Sequence, residues 1–149
     1  MKRHNRRDPN KTMNTSAKNE YLLLFRGTAW YNQHSPEELQ RAMSQFKGWF
    51  DRLAEQGKVK AAQPLVREGA IITGKTARVV ADGPFAETKE AVGGYLLLQA
   101  DSLAEAIAIA QSSPALQYDT QIEVRPVAEE CPIEARIRTA AAEPQLAAA

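Results

Sequence analysis

Asp82-Gly83-Pro84-Phe85-Ala86-Glu87-Thr88-Lys89-Glu90, with Gly93-Gly94-Tyr95-Leu96-Leu97-Leu98 close behind, sets strand-breaking residues and four ionisable side chains between two apolar runs. Asp82 closes the run at 77–81. Gly83 accepts backbone angles denied to other residues. Pro84 has no amide hydrogen for a neighbouring strand and pushes Gly83 toward extended geometry, so one strand has to end here. Ahead of the break, Ala70-Ile71-Ile72-Thr73 and Ala77-Arg78-Val79-Val80-Ala81 flank Gly74-Lys75, the pattern of a hairpin. Behind it, residues 93–100 read as a further strand. Gly93 and Gly94 lack the strand-to-helix Gly-x-Gly-x-x-Gly context, and no Lys-Ser/Thr follows, so they mark close backbone approach or a bulge and not a phosphate cradle.

Working outward, Tyr21-Leu22-Leu23-Leu24-Phe25 is too short for an independent helix and reads as a strand buried on both faces. Ser35-Pro36-Glu37-Glu38 combines an N-cap serine, a proline at the first helical position and a glutamate completing a capping box. From there Leu39, Met43, Phe46, Trp49, Phe50 and Leu53 form one apolar stripe until Gly57 supplies a left-handed stop. Residues 59–65 suggest a short or irregular strand interrupted by Pro64. Ser102 and Glu105 match a second capping box, for a helix through about Gln111 with Leu103, Ala106, Ile107 and Ala110 on its stripe, ended by Ser112-Ser113-Pro114. Residues 121–127 are the last strand. The Ala- and Glu-rich segment beyond Ala128, broken by Pro132 and Pro144, offers a helical turn or two and little to the core.

The order β-α-β-(β-hairpin)-α-β predicts an α+β, ferredoxin-like sheet with two helices on one face. Because residues 21–25 and 95–98 are apolar on both faces, the other sheet face needs a cover as well. A second sheet packed face to face supplies one; the residues alone leave a trimer or a closed monomer open.

With 149 residues, 44% of them hydrophobic, the chain fits one domain with two loose ends: an arm at 1–19, a domain at 20–127 and an Ala-rich tail at 128–149. The arm carries six basic side chains against Asp8 alone, +5 out of a total of +1, which leaves residues 20–149 at −4. A core of that sign lacks the basic stripe of a nucleic-acid binder. The arm reads as a solvated, disordered terminus, with contact to RNA or anionic lipid as the other reading. One cysteine, Cys131, and two histidines exclude the usual zinc constellations and an internal disulfide; an all-carboxylate metal site stays open without a signal for it, and the expectation is no metal and no cofactor. With neither an apolar segment behind the basic start nor a membrane-length apolar run, the expected location is cytoplasmic.

The Asp82-Gly83-Pro84-Phe85 motif, Gly93-Gly94-Tyr95-Leu96-Leu97-Leu98 and Glu123-Val124-Arg125-Pro126 together resemble the DGPF branch of the YCII-related family, over residues 20 to 127. The resemblance implies a dimeric α/β barrel, hence a homodimer. It also implies a small organic ligand held between sheet and helices, as in relatives with this barrel, with the reaction unassigned. The alternative it offers is a regulatory interaction module, since DGPF-type proteins are associated with extracytoplasmic-function sigma factors; a structural dimer without chemistry is the third class. In YCII proteins a histidine and an aspartate are suspected to form an acid/base pair. The first helix here contains no histidine, so Asp82 and His34, which precedes that helix, are the residues left for such a pair.

Asp82, at a strand end beside a Gly-Pro turn, reads either as a cavity-rim acid or base or as a turn cap bonding the Phe85 amide. Glu87 and Glu90, three apart, share one face of any helical turn and can hold a proton or cation between them, or simply be solvated. Arg125 shares its strand face with Glu123, opposite Ile122 and Val124, and either anchors an anion at the cavity or pairs with a neighbouring acid. His34 reads as a proton carrier or a surface imidazole. Trp30 and Tyr31 fall in a polar loop where large rings are hard to explain as packing, which suits a pocket mouth or a subunit interface. Met43, Phe46, Trp49 and Phe50, at helical spacing, read first as core.

Overall fold

A computed structural model describes residues 19–143, apart from Glu87, Lys89 and the side chain of Asp82; the basic arm, Glu87 and Pro144 lie outside the described residues. The chain divides into two units, Asn19–Val127 and a second made of Met1–Lys18 with Ala128–Ala149.

The larger unit runs β1 (Glu20–Arg26), α1 (Pro36–Glu55), β2 (Val59–Pro64), β3 (Ala70–Thr73), β4 (Arg78–Asp82), β5 (Val92–Gln99), α2 (Leu103–Gln111) and β6 (Gln121–Pro126). Strands β2-β5-β1-β6 form one antiparallel sheet in that order. This is the expected α+β, ferredoxin-like arrangement. The hairpin β3–β4 makes a separate two-stranded sheet, inserted between β2 and β5.

Alternation along the strands decides where the core sits. Tyr21 and Leu23 of β1, and Leu96 and Leu98 of β5, turn to the face covered by both helices and pack with Trp49 and Leu53 of α1 and Ala106 and Ala110 of α2. The Trp49 indole N–H donates to Ser112 Oγ at 2.9 Å, tying α1 to the end of α2. Leu23, Leu96 and Leu98 are fully buried, each contributing about 2 kcal/mol of transfer free energy. The intervening side chains Leu22, Leu24, Tyr95 and Leu97 are half-buried on the open face, where the register pairs Leu22 with Leu97 and Leu24 with Tyr95.

Local chemistry sets the helix ends. Ser35 and Glu38 make the reciprocal capping box, and Gly57 takes the left-handed stop at φ 71°. At α2 the box is displaced: Ser102 Oγ accepts the Glu105 amide, but the Glu105 carboxylate takes the Asp101 amide and the Lys58 ammonium instead of returning to Ser102. Two expectations are revised. The hairpin turn is the four residues 74–77 and not Gly74-Lys75 alone, with Gly74 and Ala77 both at positive φ. Met43 does not join the buried stripe: it is 57% exposed.

In the smaller unit, α3 (Pro132–Ala142) is longer than the turn or two expected, because Pro132 sits at its first helical position, where the missing amide hydrogen costs nothing. Glu130 clamps Arg138 through two 2.7 Å contacts, and Ile133 and Ile137 are exposed. Among the described residues, no helix is long and apolar enough to cross a membrane.

Candidate functional site

The sheet ends raggedly where β1 leaves, β5 enters and β2 stops. Arg26 pairs with Val92, while Phe25 pairs with Gly94, so Gly93 is the extra residue of a bulge. A Cβ on Gly93 would lie 3.0 Å from Thr28 Cγ2, and one on Gly94 would lie 3.1 Å from the Gln63 carbonyl oxygen, so both glycines let backbones meet at this corner. The chain leaving β1 is stitched to the loop before β5 by Gly27 N–H to the Ala91 carbonyl and Thr28 N–H to the Thr88 carbonyl, at 3.0 and 3.1 Å.

The Asp-Gly-Pro turn builds the hairpin base. The Gly83 amide donates to the Gly69 carbonyl at 2.6 Å, the Phe85 amide to the Arg67 carbonyl at 2.8 Å, and Arg67 Nε returns a bond to the Phe85 carbonyl at 3.0 Å. A Cβ on Gly83 would fall 2.6 Å from the Gly69 nitrogen and 2.8 Å from the Arg67 oxygen; only glycine fits. The turn-cap reading of Asp82 has its side chain bonding the Phe85 amide; that amide donates to the Arg67 backbone carbonyl, and the Asp82 side chain lies outside the described residues.

This corner encloses a cavity of about 1580 Å³, walled by α1, the sheet end and the hairpin with its two flanking segments. All four phenylalanines, three of the four tyrosines and Trp30 line it. Of the residues singled out from sequence, Trp30, Tyr31 and Glu90 come together at its wall, and Met43, Phe46 and Phe50 line it from α1. Glu90 also accepts a bond from Arg26 Nη1 through its carbonyl, at 3.0 Å. His34 sits beside the mouth, its ring 5.5 Å from Tyr118 and 6.3 Å from Trp30, and its Nδ1 is 3.4 Å from Glu38 Oε2. The capping bond from the Ser35 amide, with His34 adding to it, holds the Glu38 carboxyl below its ordinary range.

Arg125 is set apart. It lies 68% exposed on the open sheet face, 3.6 Å from Glu123, whose carboxylate also takes Arg26 Nη2 at 2.7 Å. The hydrogen bond from Arg26 is the main cause that lowers the Glu123 pKa. Asp82 contributes its backbone to the β3–β4 pairing, opposite Ala70. Glu87 lies outside the described residues. Tyr118 and Phe85 were missed as site residues. Tyr118 carries the same signal as Trp30, a large ring in a short connection between a helix and a strand.

Most of the wall is hydrocarbon and ring, with Lys47, Arg67, Glu68 and Glu90 as its charged members. Lys47 is engaged by Asp51 at 2.7 Å. The Thr28 hydroxyl is buried without a hydrogen-bond partner at the same corner. Such a surface favours holding a molecule by area and ring contact, with few polar points to orient it.

A fold of this order, with an Asp-Gly-Pro turn beside a cavity at the sheet end, defines a class that sequence comparison makes specific. The model of the YCII-related domain matches residues 21–130, and the chain belongs to that family. An uncharacterised protein of Rhizobium meliloti (strain 1021) is 37% identical over 113 residues, 72% of this chain and 90% of that protein. Among solved structures, the 5-chloro-2-hydroxyhydroquinone dehydrochlorinase of Burkholderia phenoliruptrix AC1100, in complex with 2,5-dihydroxybenzoquinone, superposes with a TM-score of 0.39 at 17% identity, over 70% of this chain and 90% of that one. A superposition that loose says nothing about this chain's chemistry.

Proposed function

We propose that this protein binds a flat, largely apolar organic molecule in the cavity at the sheet end, with any reaction unassigned. The observation that carries this reading is the concentration there of eight of the ten aromatic residues of the chain. Ring pairs contribute about 0.5–1.5 kcal/mol each beyond their buried area, and an edge-lined slot selects planar guests. Asp82 and His34 stand beside this reading as proton carriers to be tested, Asp82 from its turn and His34 from its place between Glu38 and the rings of Trp30 and Tyr118. Titration with 1-anilinonaphthalene-8-sulfonate, followed by competition with a metabolite library, tests the binding. Met43→Glu, which puts a charge on the wall at an already exposed position, is expected to weaken the probe at least about tenfold. Unchanged probe affinity in that variant, or no displacement by any planar metabolite, would sink the reading.

We also infer a homodimer that covers the open sheet face, because Leu22, Leu24 and Leu97 lie half-buried on the face turned away from both helices. The regulatory-module alternative is favoured by one observation of its own. Ile107 and Leu116 are exposed along a groove of about 180 Å³ between α2 and β6, and Leu103 is exposed on the same helix. Loss of a cellular partner on Ile107→Lys, with probe binding intact, would select it.

A further inference from the structure

Among the described residues, one buried polar side-chain atom has no hydrogen-bond partner, the Thr28 hydroxyl oxygen. Buried polar groups are paired as a rule, and an unpaired one weighs against folding, so the exception needs a reason. This one belongs to a residue of the cavity wall.

Its neighbours fix its position. Gly27, at φ 97°, turns the chain out of β1, and the Gly27 and Thr28 amides donate to the Ala91 and Thr88 carbonyls at 3.0 and 3.1 Å. The backbone of Thr28 is thereby fastened to the loop before β5. The side chain is seated as well. A Cβ on Gly93 would come within 3.0 Å of Thr28 Cγ2, so the methyl group packs where that glycine leaves room. A branched side chain has few χ1 wells, and a seated methyl leaves the hydroxyl one direction. Thr28 also stands two residues before Trp30, so the hydroxyl and a ring of the wall come from one short connection.

The wall around it does not favour a charged guest. Its cations are engaged, Lys47 by Asp51 at 2.7 Å and Arg67 by the Phe85 carbonyl at 3.0 Å. Its carboxylates, Glu68 and Glu90, are exposed, so water screens them. An ion entering among the rings would lose its hydration for little return, whereas an uncharged molecule needs only the rings and a hydrogen bond.

We propose that the Thr28 hydroxyl is the polar anchor of the cavity, and that the guest is an uncharged ring system whose edge carries a hydrogen-bonding group that completes this bond. This rests on the aromatic cavity proposed above and names the atom that orients its guest. A hydroxyl both donates and accepts, so it takes a ring hydroxyl, carbonyl or nitrogen and discriminates against a hydrocarbon of the same shape. Because the oxygen is already closed off from water, a guest that enters the corner and bonds it displaces no solvent from the protein side.

Displacement of 1-anilinonaphthalene-8-sulfonate from the full chain by near-isosteric naphthalenes tests this. Wild type should hold 2-naphthol at least about tenfold more tightly than 2-methylnaphthalene, and Thr28→Val should hold the two alike. Thr28→Ser, which keeps the oxygen, should keep the preference. The melting temperature of Thr28→Val should be unchanged or raised, because no bond within the protein is lost; a clear drop would make the hydroxyl structural and overturn the anchor. Equal binding of the two compounds by wild type, or a preference that survives in Thr28→Val, overturns the anchor and leaves the apolar cavity standing. No displacement by either compound overturns the cavity reading and the anchor with it. Either 2-naphthoate or 2-naphthylmethylammonium binding as tightly as 2-naphthol overturns the uncharged class. Carbon-13 spectra of the threonine methyl groups need no variant: a Thr28 methyl resonance unmoved by saturating 2-naphthol overturns the anchor even if Thr28→Val fails to fold.

Discussion

The helix-covered face of the sheet and the cavity corner are built from similar residues to opposite ends. On the covered face Leu23, Leu96 and Leu98 are sealed between strands and helices, with partly buried side chains such as Phe46, Ile109 and Val124 packed around them. At the corner Ile71, Val66 and Met43 stand in the open around a cavity. The difference is one of connection. β1 and β5 pair along their whole lengths, whereas the hairpin is fastened by the few bonds at its base around Gly69 and Gly83. Stability is concentrated in the first region and adaptability in the second, a division common where a ligand must enter.

The largest effect should come from Leu98→Ala, expected to cost 2–5 kcal/mol by cavity formation, against under about 0.5 kcal/mol for Ile72→Ala in the monomer. Urea denaturation measures both, and equal costs would erase the contrast between the regions. Gly83→Ala comes next. Its Cβ meets backbone at 2.6 Å, so the hairpin base must open; a loss of about 2 kcal/mol is expected, with probe affinity falling alongside. Unaltered probe binding in a folded Gly83→Ala protein would separate the turn from the cavity.

Asp82→Ala should cost about 1 kcal/mol as the loss of a turn residue, and Asp82→Asn almost nothing. Once a ligand and its turnover are known, a stable but inactive Asp82→Asn would make the carboxylate a proton carrier, and full activity would leave it a turn residue. Smaller still is the acid limb set by Glu123. Its folded pKa is lowered, mainly by the Arg26 hydrogen bond, so its contribution is present above the unfolded carboxylate value of about 4.3 and is lost as pH falls through the folded value below it. Melting temperatures of wild type and Glu123→Gln should therefore converge on acidification below about pH 4. Parallel curves would show that the pair does no thermodynamic work. Removing residues 1–19 and everything beyond Pro132 should shift the melting temperature by less than about 5 °C, and a larger drop would assign one of these segments a packed role.

The order of elements was readable because its signals are local and redundant: a capping box before a 3.6-residue stripe, a glycine stop, and short apolar runs bounded by turn residues. The corner was harder to read. Trp30 and Tyr31 betrayed themselves as rings in a loop, but Phe85 and Tyr118 reach the same wall from connections 33 residues apart, a nearness only the folded chain creates. Arg125 shows the limit in reverse. Its strand face was assigned correctly, opposite Ile122 and Val124, yet periodicity does not say on which face the cavity lies. Met43 fell on the predicted apolar stripe, yet it stands exposed on the cavity wall while its neighbour Ala42 is buried.

The two tryptophans of the chain are divided between these regions. Trp49 is 3% exposed, its indole held by Ser112 inside the core, whereas Trp30 looks into the cavity beside His34. The molecule thus carries two native fluorophores with separate duties. In Trp30→Phe the remaining emission should be blue-shifted and indifferent to acrylamide, and should report only the collapse of the sheet. In Trp49→Phe the remaining emission should be quenched by small solutes and by any guest, so that occupancy can be read without a label.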